Sequence, residues 1–450
     1  MSVRNRWIAF GAILLVSAVS FAQKATSGTF STWDADMINI EKVTQTGKGV
    51  YVAVLDTGLV PNWKDFFPTS RIATNLGTGF DQSVTFKAHS PNGCEFDVEL
   101  GDVRQTTWVG STTSTHGTHV TSTILGFNYR SNFDAAAGYP LPPIYVRGIA
   151  PDVTVIPVKV LADYTIPALP QCPVATKSQR VNFGTDQMVA AGIRYVTSLA
   201  KKGYKPMVIN MSLGGSGLAD VEKAAIDDAI ANGVVIVAAA GNEGEAGMGY
   251  PGAYAPVISA GSVGWTGEWL FPDTQQPRYR MWWLQYPFPP LVPGSGDVPE
   301  SNVINDTYVS DFSSRAVPGQ QLDVMAPGSW VRGPFEGTPG YRHLPWWAKG
   351  VGDLHGGPST YFYVGGTSMA TPHVSGVSAL LLQKDPNLTA AQIQSILKST
   401  ALPIPDTGSR NVFDIAQWVV ISWDTDCNGT PCDPVGAGLL QADAAIAATP

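Results

Sequence analysis

The sequence predicts an α/β fold, a doubly wound and mostly parallel sheet with helices on both faces, interrupted by long loop insertions. Three observations carry that expectation. Short apolar runs rich in β-branched residues recur at 49–55, 153–160, 207–213 and 234–239, each with the length and flanks of a strand buried on both faces. Stretches of helical spacing at 186–202 and 220–232 lie between the later runs. Strands alternating with helices imply right-handed crossovers and parallel pairing. Only 14% of the 450 residues are charged, whereas 47 are glycine and 34 proline, which favours tight turns and irregular loops over long solvated helices.

The first 22 residues read as a secretory signal. Arg4 and Arg6 open it, an apolar run covers 8–19, and Ser20-Phe21-Ala22 places small residues at the cleavage-critical positions before Gln23. That apolar run is shorter than the ~20 residues needed to cross a bilayer, and no later stretch is a candidate span. The expectation is a protein released outside the cell or into the periplasm, without a stable membrane span after cleavage. Loss of the two leader arginines takes the net charge from −8 to about −10. An acidic protein without clustered Lys and Arg is a poor nucleic-acid binder.

Residues 23–450 are taken as one domain. After a polar stretch containing Trp33, Met37 and Ile38, the 49–55 strand ends in Asp56-Thr57-Gly58. Residues 86–115 read as loop, and 116–125 as a short helix. The apolar run from Val374 to Leu381 marks a helix from Ser368 to Lys384. Three stretches depart from this framework: 265–310 with Trp265, Trp269, Trp282 and Trp283, 332–362 with Trp346 and Trp347, and 403–434. Their aromatic residues are expected to pack on the domain, an extended substrate platform being the alternative. Four cysteines in an exported chain allow three pairings. Cys427 and Cys432 bracket a turn-forming Asn-Gly-Thr-Pro and are expected to pair locally, leaving Cys94 with Cys172. Their spacings fit no zinc pattern.

Catalytic groups of such sheets sit at the carboxyl ends of strands. Asp56 is at one such end and Asn242 just beyond another. Serine-based acyl transfer requires a base for the hydroxyl proton, a carboxylate to orient that base, and donors for the oxyanion. His116 opens the short helix. Ser368 opens the long one, where an unpaired first-turn N–H and the helix dipole favour developing negative charge. Read alone, Ser368 is equally well a helix cap and Asn242 a turn residue.

Five blocks together resemble the subtilisin-like serine proteases, the subtilases: Val-Ala-Val-Leu-Asp56-Thr-Gly, His116-Gly-Thr-His-Val, Ile-Asn-Met-Ser212-Leu-Gly-Gly, Ala-Ala-Ala-Gly-Asn242-Glu-Gly and Gly-Thr-Ser368-Met-Ala-Thr-Pro-His-Val-Ser-Gly. They stand in that family's Asp, His, Ser order. The resemblance implies a subtilisin-like fold and a monomeric endopeptidase acting on proteins or peptides without a catalytic cofactor. Ser368 would be the nucleophile, His116 the base, Asp56 its partner and Asn242 an oxyanion donor. Ser212, Leu213 and Gly214 would pair with an extended peptide. Ala239, Ala240 and Gly241 would line the pocket for the side chain before the cut, with Gly249 as its floor, leaving room for large apolar side chains. Glu243, at the rim, is read as a solvated acid, with a preference for basic side chains as the alternative.

Several residues admit other roles. His119, three residues after His116, has metal-ligand spacing, but no carboxylate motif accompanies it and a structural hydrogen bond is favoured. His373 is expected to pack inside its helix, and His343 and His355 receive no role. The family resemblance makes structural Ca²⁺ an expectation at Asp65, although its companion loop, 127–147, is rebuilt. Asp424, Asp426 and Asn428 form another oxygen-rich cluster. A non-catalytic binding protein on a protease scaffold, and a metalloenzyme using His116 and His119, are the rival readings.

Overall fold

The computed structural model describes residues 30–88, 96–129, 144–168, 177–270, 283–285, 298, 303–335, 348–349, 361–414 and 417–450. The leader, Cys94, Cys172, Trp282, Trp346, Trp347, His343 and His355 lie outside the described residues.

A nine-stranded sheet forms the centre. Its strands in chain order are β1 (Tyr51–Asp56), β2 (Thr78–Ala88), β3 (Phe96–Thr106), β4 (Thr154–Lys159), β5 (Met207–Met211), β6 (Val234–Ala239), β7 (Ile258–Trp265), β8 (Thr307–Val309) and β9 (Val324–Pro327). The spatial order is β8-β7-β6-β5-β1-β4-β2-β3, with β9 also paired to β7. All neighbours are parallel except β2 with β3 and β7 with β8. The expected doubly wound, mostly parallel sheet is therefore present.

Period-two side-chain alternation decides what each face touches. Ala53, Leu55, Ile209, Met211, Ile236 and Ala238 point to one side, where they pack with Ile193 and Val196 of α3 (Asp186–Lys201) and Ile226 of α4 (Asp220–Ala231). Val52, Val54, Val208, Val235 and Val237 point to the other side, against Val374, Val377, Leu380 and Leu381 of α5 (Thr367–Lys384). Nearly all of α5 is buried, as befits a helix apolar around its whole circumference. Thr185 accepts the Met188 N–H to start α3, and a Thr389–Gln392 capping box starts α6 (Ala390–Thr400).

One segment departs from the sequence reading, and three others gain elements that the sequence left unassigned. Residues 86–88 and 96–106 are not loop: they belong to β2 and β3, which pair antiparallel at the sheet edge. Their charged residues (Lys87, Asp97, Glu99, Asp102, Arg104) hide the apolar alternation, as charge on an edge strand commonly does. Trp265, read as the start of an excursion that packs on the domain, ends β7, is 9% exposed and stacks on Trp33 at 6.5 Å. Beyond it, Trp283–Gln285 pairs with Phe30–Thr32. The 403–434 excursion contains a hairpin of Gly408–Asp414 and Gln417–Trp423. Cys427 and Cys432 are paired as expected, their Cα atoms 5.8 Å apart.

Ile209 lies at the middle of β5 with no exposure. Ile209→Ala is expected to destabilise the fold by about 2–5 kcal/mol through lost burial and the cavity left behind. Urea unfolding in a Ser368→Ala background, which avoids self-digestion, measures it.

Candidate active site

β1 ends on Asp56, whose side chain is wholly buried. Its Oδ1 accepts the Thr57 N–H at 2.7 Å, and His116 Nδ1 lies 2.8 Å from Oδ1 and 3.0 Å from Oδ2. An ionised carboxylate only accepts, so Nδ1–H is the donor and Nε2 keeps its lone pair. His116 is the second residue of α2 (Thr115–Leu125). The next residue has to be glycine, because a Cβ at Gly117 would stand 2.5 Å from the Gly58 carbonyl oxygen and 3.1 Å from Asp56 Oδ1. The Gly117 N–H in turn donates to Thr57 Oγ1 at 3.0 Å, fixing helix to strand end.

Ser368 is the second residue of α5 and is half-buried. So close to the helix start, its N–H has no intrahelical acceptor. Its hydroxyl donates to the Ser212 carbonyl at 3.2 Å and is not hydrogen-bonded to His116. The triad expected from sequence is thus joined at Asp56–His116 and open at His116–Ser368. A serine has a single hydroxyl proton, and here the Ser212 carbonyl holds it. Active-site hydrogen bonds of a free enzyme often close only around substrate.

Asn242 follows β6 by three residues and is exposed. Its Oδ1 accepts both the N–H of Thr367 at 2.9 Å and the Thr367 hydroxyl at 3.1 Å, so its Nδ2 is turned outward as a donor. A Cβ at Gly366 would stand 3.7 Å from the Ser368 nitrogen and 3.8 Å from Asn242 Nδ2. The two donors therefore flank one small space that the glycine leaves open. Glu243 is exposed, in keeping with the solvated acid read from sequence. Its Oε2 also accepts the Asn242 N–H at 2.7 Å and the Ser314 hydroxyl at 3.0 Å, so it clamps the loop as well. Sequence reasoning passed over Thr367 and this clamp. The Thr beside Ser368 was the only signal for the first, and nothing local signalled Ser314.

Ser212, Leu213 and Gly214 continue from the end of β5, and Gly214 is exposed. No backbone hydrogen bond engages Leu213 or Gly214, which leaves an open edge for an extended chain. Ala239 ends β6, and Ala240 and Gly241 follow it. The walls meet at Gly249: its N–H donates to Ala240 O at 2.8 Å, and Gly215 and Tyr250 exchange two bonds of 2.8 Å. A Cβ on Gly249 would sit 3.3 Å from Gly215 O, so any larger residue would shorten the slot.

His119 is fully buried and its Nε2–H donates to Val331 O at 3.1 Å, the structural hydrogen bond favoured from sequence. Burial, and then the charge of His116, push it down to about 3, so it stays neutral. His373 is also buried, with Nδ1 at 2.8 Å from Met369 O and Nε2 at 3.0 Å from Asp34 Oδ2. Among the described residues no group of three or more His, Cys, Asp or Glu converges on a metal position. Asp65 lies in an exposed turn, and Asp424 and Asp426 accept the N–H groups of Asp426 and Gly429. Among the described residues, a structural calcium site is not shown.

Burial alone would lower the pKa of His116. The Asp56 charge and hydrogen bond outweigh it, leaving the imidazole above its ordinary 6.5. Its base form is thus gained as pH rises through that raised value. An NMR titration is expected to place His116 above 6.5, and Asp56→Asn, which deletes the charge, to bring it below. Equal values in both proteins would contradict the pairing.

The description "Subtilase family" matches residues 47–420. Subtilisin DY of Bacillus licheniformis is 31% identical over 296 residues, 65% of this chain and 72% of that protein. Subtilisin E of Bacillus subtilis (strain 168) is 30% identical over 292 residues, 64% of this chain and 51%, about half, of that protein. Among solved structures, sphericase (TM-score 0.52, 22% identity) covers 93% of this chain and 99% of its own. Fervidolysin of Fervidobacterium pennivorans, described as a keratinolytic enzyme related to subtilisin, gives 0.53 and 23% over 93% of this chain and 46% of its own. Those two likenesses concern the fold alone. With the sequence match spanning most of its length, the chain belongs to the subtilase family of serine endopeptidases.

Proposed function

We propose that this protein is exported and cleaves peptide bonds through an acyl-enzyme on Ser368, with His116 as base, Asp56 as its partner and Asn242 as oxyanion donor. The observation that carries this reading is the Asp56–His116 pair at the end of a central strand, together with the Asn242 and Ser368 donors that flank one small space. Substrate pairs its backbone with the open edge at Ser212, Leu213 and Gly214, as an added strand. The side chain before the cut enters between that edge and Ala239–Ala240–Gly241, over Gly249, a slot with room for large apolar groups.

The Ser368 hydroxyl then turns from the Ser212 carbonyl to His116 Nε2. Oγ bonds to the scissile carbon as its proton passes to Nε2, and Asp56 stabilises the imidazolium. The carbonyl electrons move onto oxygen, between Asn242 Nδ2 and the Ser368 N–H. Collapse expels the amine, which takes the proton from His116. Water repeats the sequence on the acyl-enzyme. Subtilases need no catalytic cofactor, and a structural calcium ion would enter none of these steps.

Export rests on the leader reading of residues 1–22 and suits the Cys427–Cys432 pair, since such bonds persist in oxidising compartments. We take 23–450 as a single domain acting as a monomer on protein or peptide substrates.

A fluorophosphonate probe is expected to label the native protein and not Ser368→Ala. Asn242→Ala is expected to lower turnover by about 10²–10³, the range known for the equivalent loss in subtilisin itself. A mixed peptide library should be cut after large apolar residues. Absence of labelling, as in a binding scaffold or a metal-dependent hydrolase, or labelling that survives Ser368→Ala, would overturn the reading.

A further inference from the structure

The carbonyl of Ser368 ought to accept the N–H four residues ahead, but that residue is Pro372, which has none. The deficit falls on the nucleophile's own peptide, inside an otherwise continuous helix. A side chain from the sheet fills it: Ser212 Oγ donates to Ser368 O at 2.8 Å.

That single bond fixes the direction of a buried chain. The Ser212 hydroxyl has one proton and spends it on Ser368 O, so toward Asn210, 3.1 Å away, it must accept. Asn210 therefore presents Nδ2 to Ser212 and Oδ1 to Ser375, whose hydroxyl donates at 2.8 Å. Asn210 and Ser375 have no solvent exposure, and Ser212 has 2%. Ser375 is seven residues beyond Ser368, two turns along the same face of α5. Asn210 is the one polar side chain within β5, on the face that Val208 turns toward α5. A buried amide in that position is unfavourable unless its partners are held, and all of them here lead to Ser368.

We propose that Asn210 and Ser375 are positioning residues for acyl transfer, acting through Ser212 to hold the Ser368 peptide in place. The relay replaces the hydrogen bond that Pro372 removes. It thereby sets where the Ser368 hydroxyl and the Ser368 N–H stand relative to His116 and Asn242. Neither residue touches substrate. The proposal rests on Ser368 being the nucleophile, as proposed above.

The test is a kinetic double-mutant cycle with Ser375→Ala and Ser212→Ala, read as kcat and KM on a peptide substrate. Ser375→Ala suits an interior helix position and leaves Asn210 Oδ1 without its donor. It is expected to lower kcat by about 3–10-fold with KM unchanged, since small displacements of reacting groups act on turnover. Ser212→Ala should lower kcat at least as far, and the double variant no further than Ser212→Ala alone. An unchanged kcat in Ser375→Ala, whatever its melting temperature, would overturn the proposal. So would losses that multiply in the double variant. Fluorophosphonate labelling of the native protein and of Ser368→Ala runs beside the cycle. Labelling lost on Ser368→Ala while the cycle fails overturns the relay only, whereas labelling retained there overturns the assignment of the nucleophile.

Discussion

A carboxylate without solvent exposure, at the last residue of a central strand, is the constraint on which the active site turns. Asp56 is tolerable there only because Thr57 N–H and His116 Nδ1–H donate to it. Meeting that demand brings α2 down onto the end of β1, and the closeness of approach excludes any side chain at Gly117. The same bond selects the tautomer that leaves Nε2 free to take a proton and raises the pKa of the ring. Structure and chemistry therefore share one interaction: the contact that stabilises the strand end also sets the tautomer and basicity of the imidazole.

The other half of the site depends on the start of α5. Its first turn carries the Ser368 N–H, the Thr367 bonds that orient Asn242, and a carbonyl that Pro372 leaves without a helical partner. Helix and sheet are joined here by polar contacts, where most of their interface is apolar. The placement of Ser368 thus comes from β5 and β6 as much as from the helix itself.

The fold was readable because strands buried on both faces carry continuous apolar runs, and 49–55, 153–160, 207–213 and 234–239 all lie in the central sheet. The edge pair of β2 and β3 was not, because its exposed faces replace apolar alternation with charge. The positions of Asp56, His116, Asn242 and Ser368 followed from ordered motifs. The resting direction of the Ser368 hydroxyl did not, since a rotation about one bond leaves no trace in sequence. The Glu243–Ser314 bond left none for a related reason: the two residues are 71 apart in the chain, and only the folded chain makes them neighbours.

A crystal structure of the protein inactivated by a peptidyl phosphonate with a phenylalanine-like side chain tests the account most directly. The account predicts phosphorus on Ser368 Oγ and His116 Nε2 within hydrogen-bond distance of that oxygen. It also predicts the phosphonyl oxygen between Asn242 Nδ2 and the Ser368 N–H. An adduct on another residue, or an imidazole left out of reach of Oγ while still bound to Asp56, would contradict it.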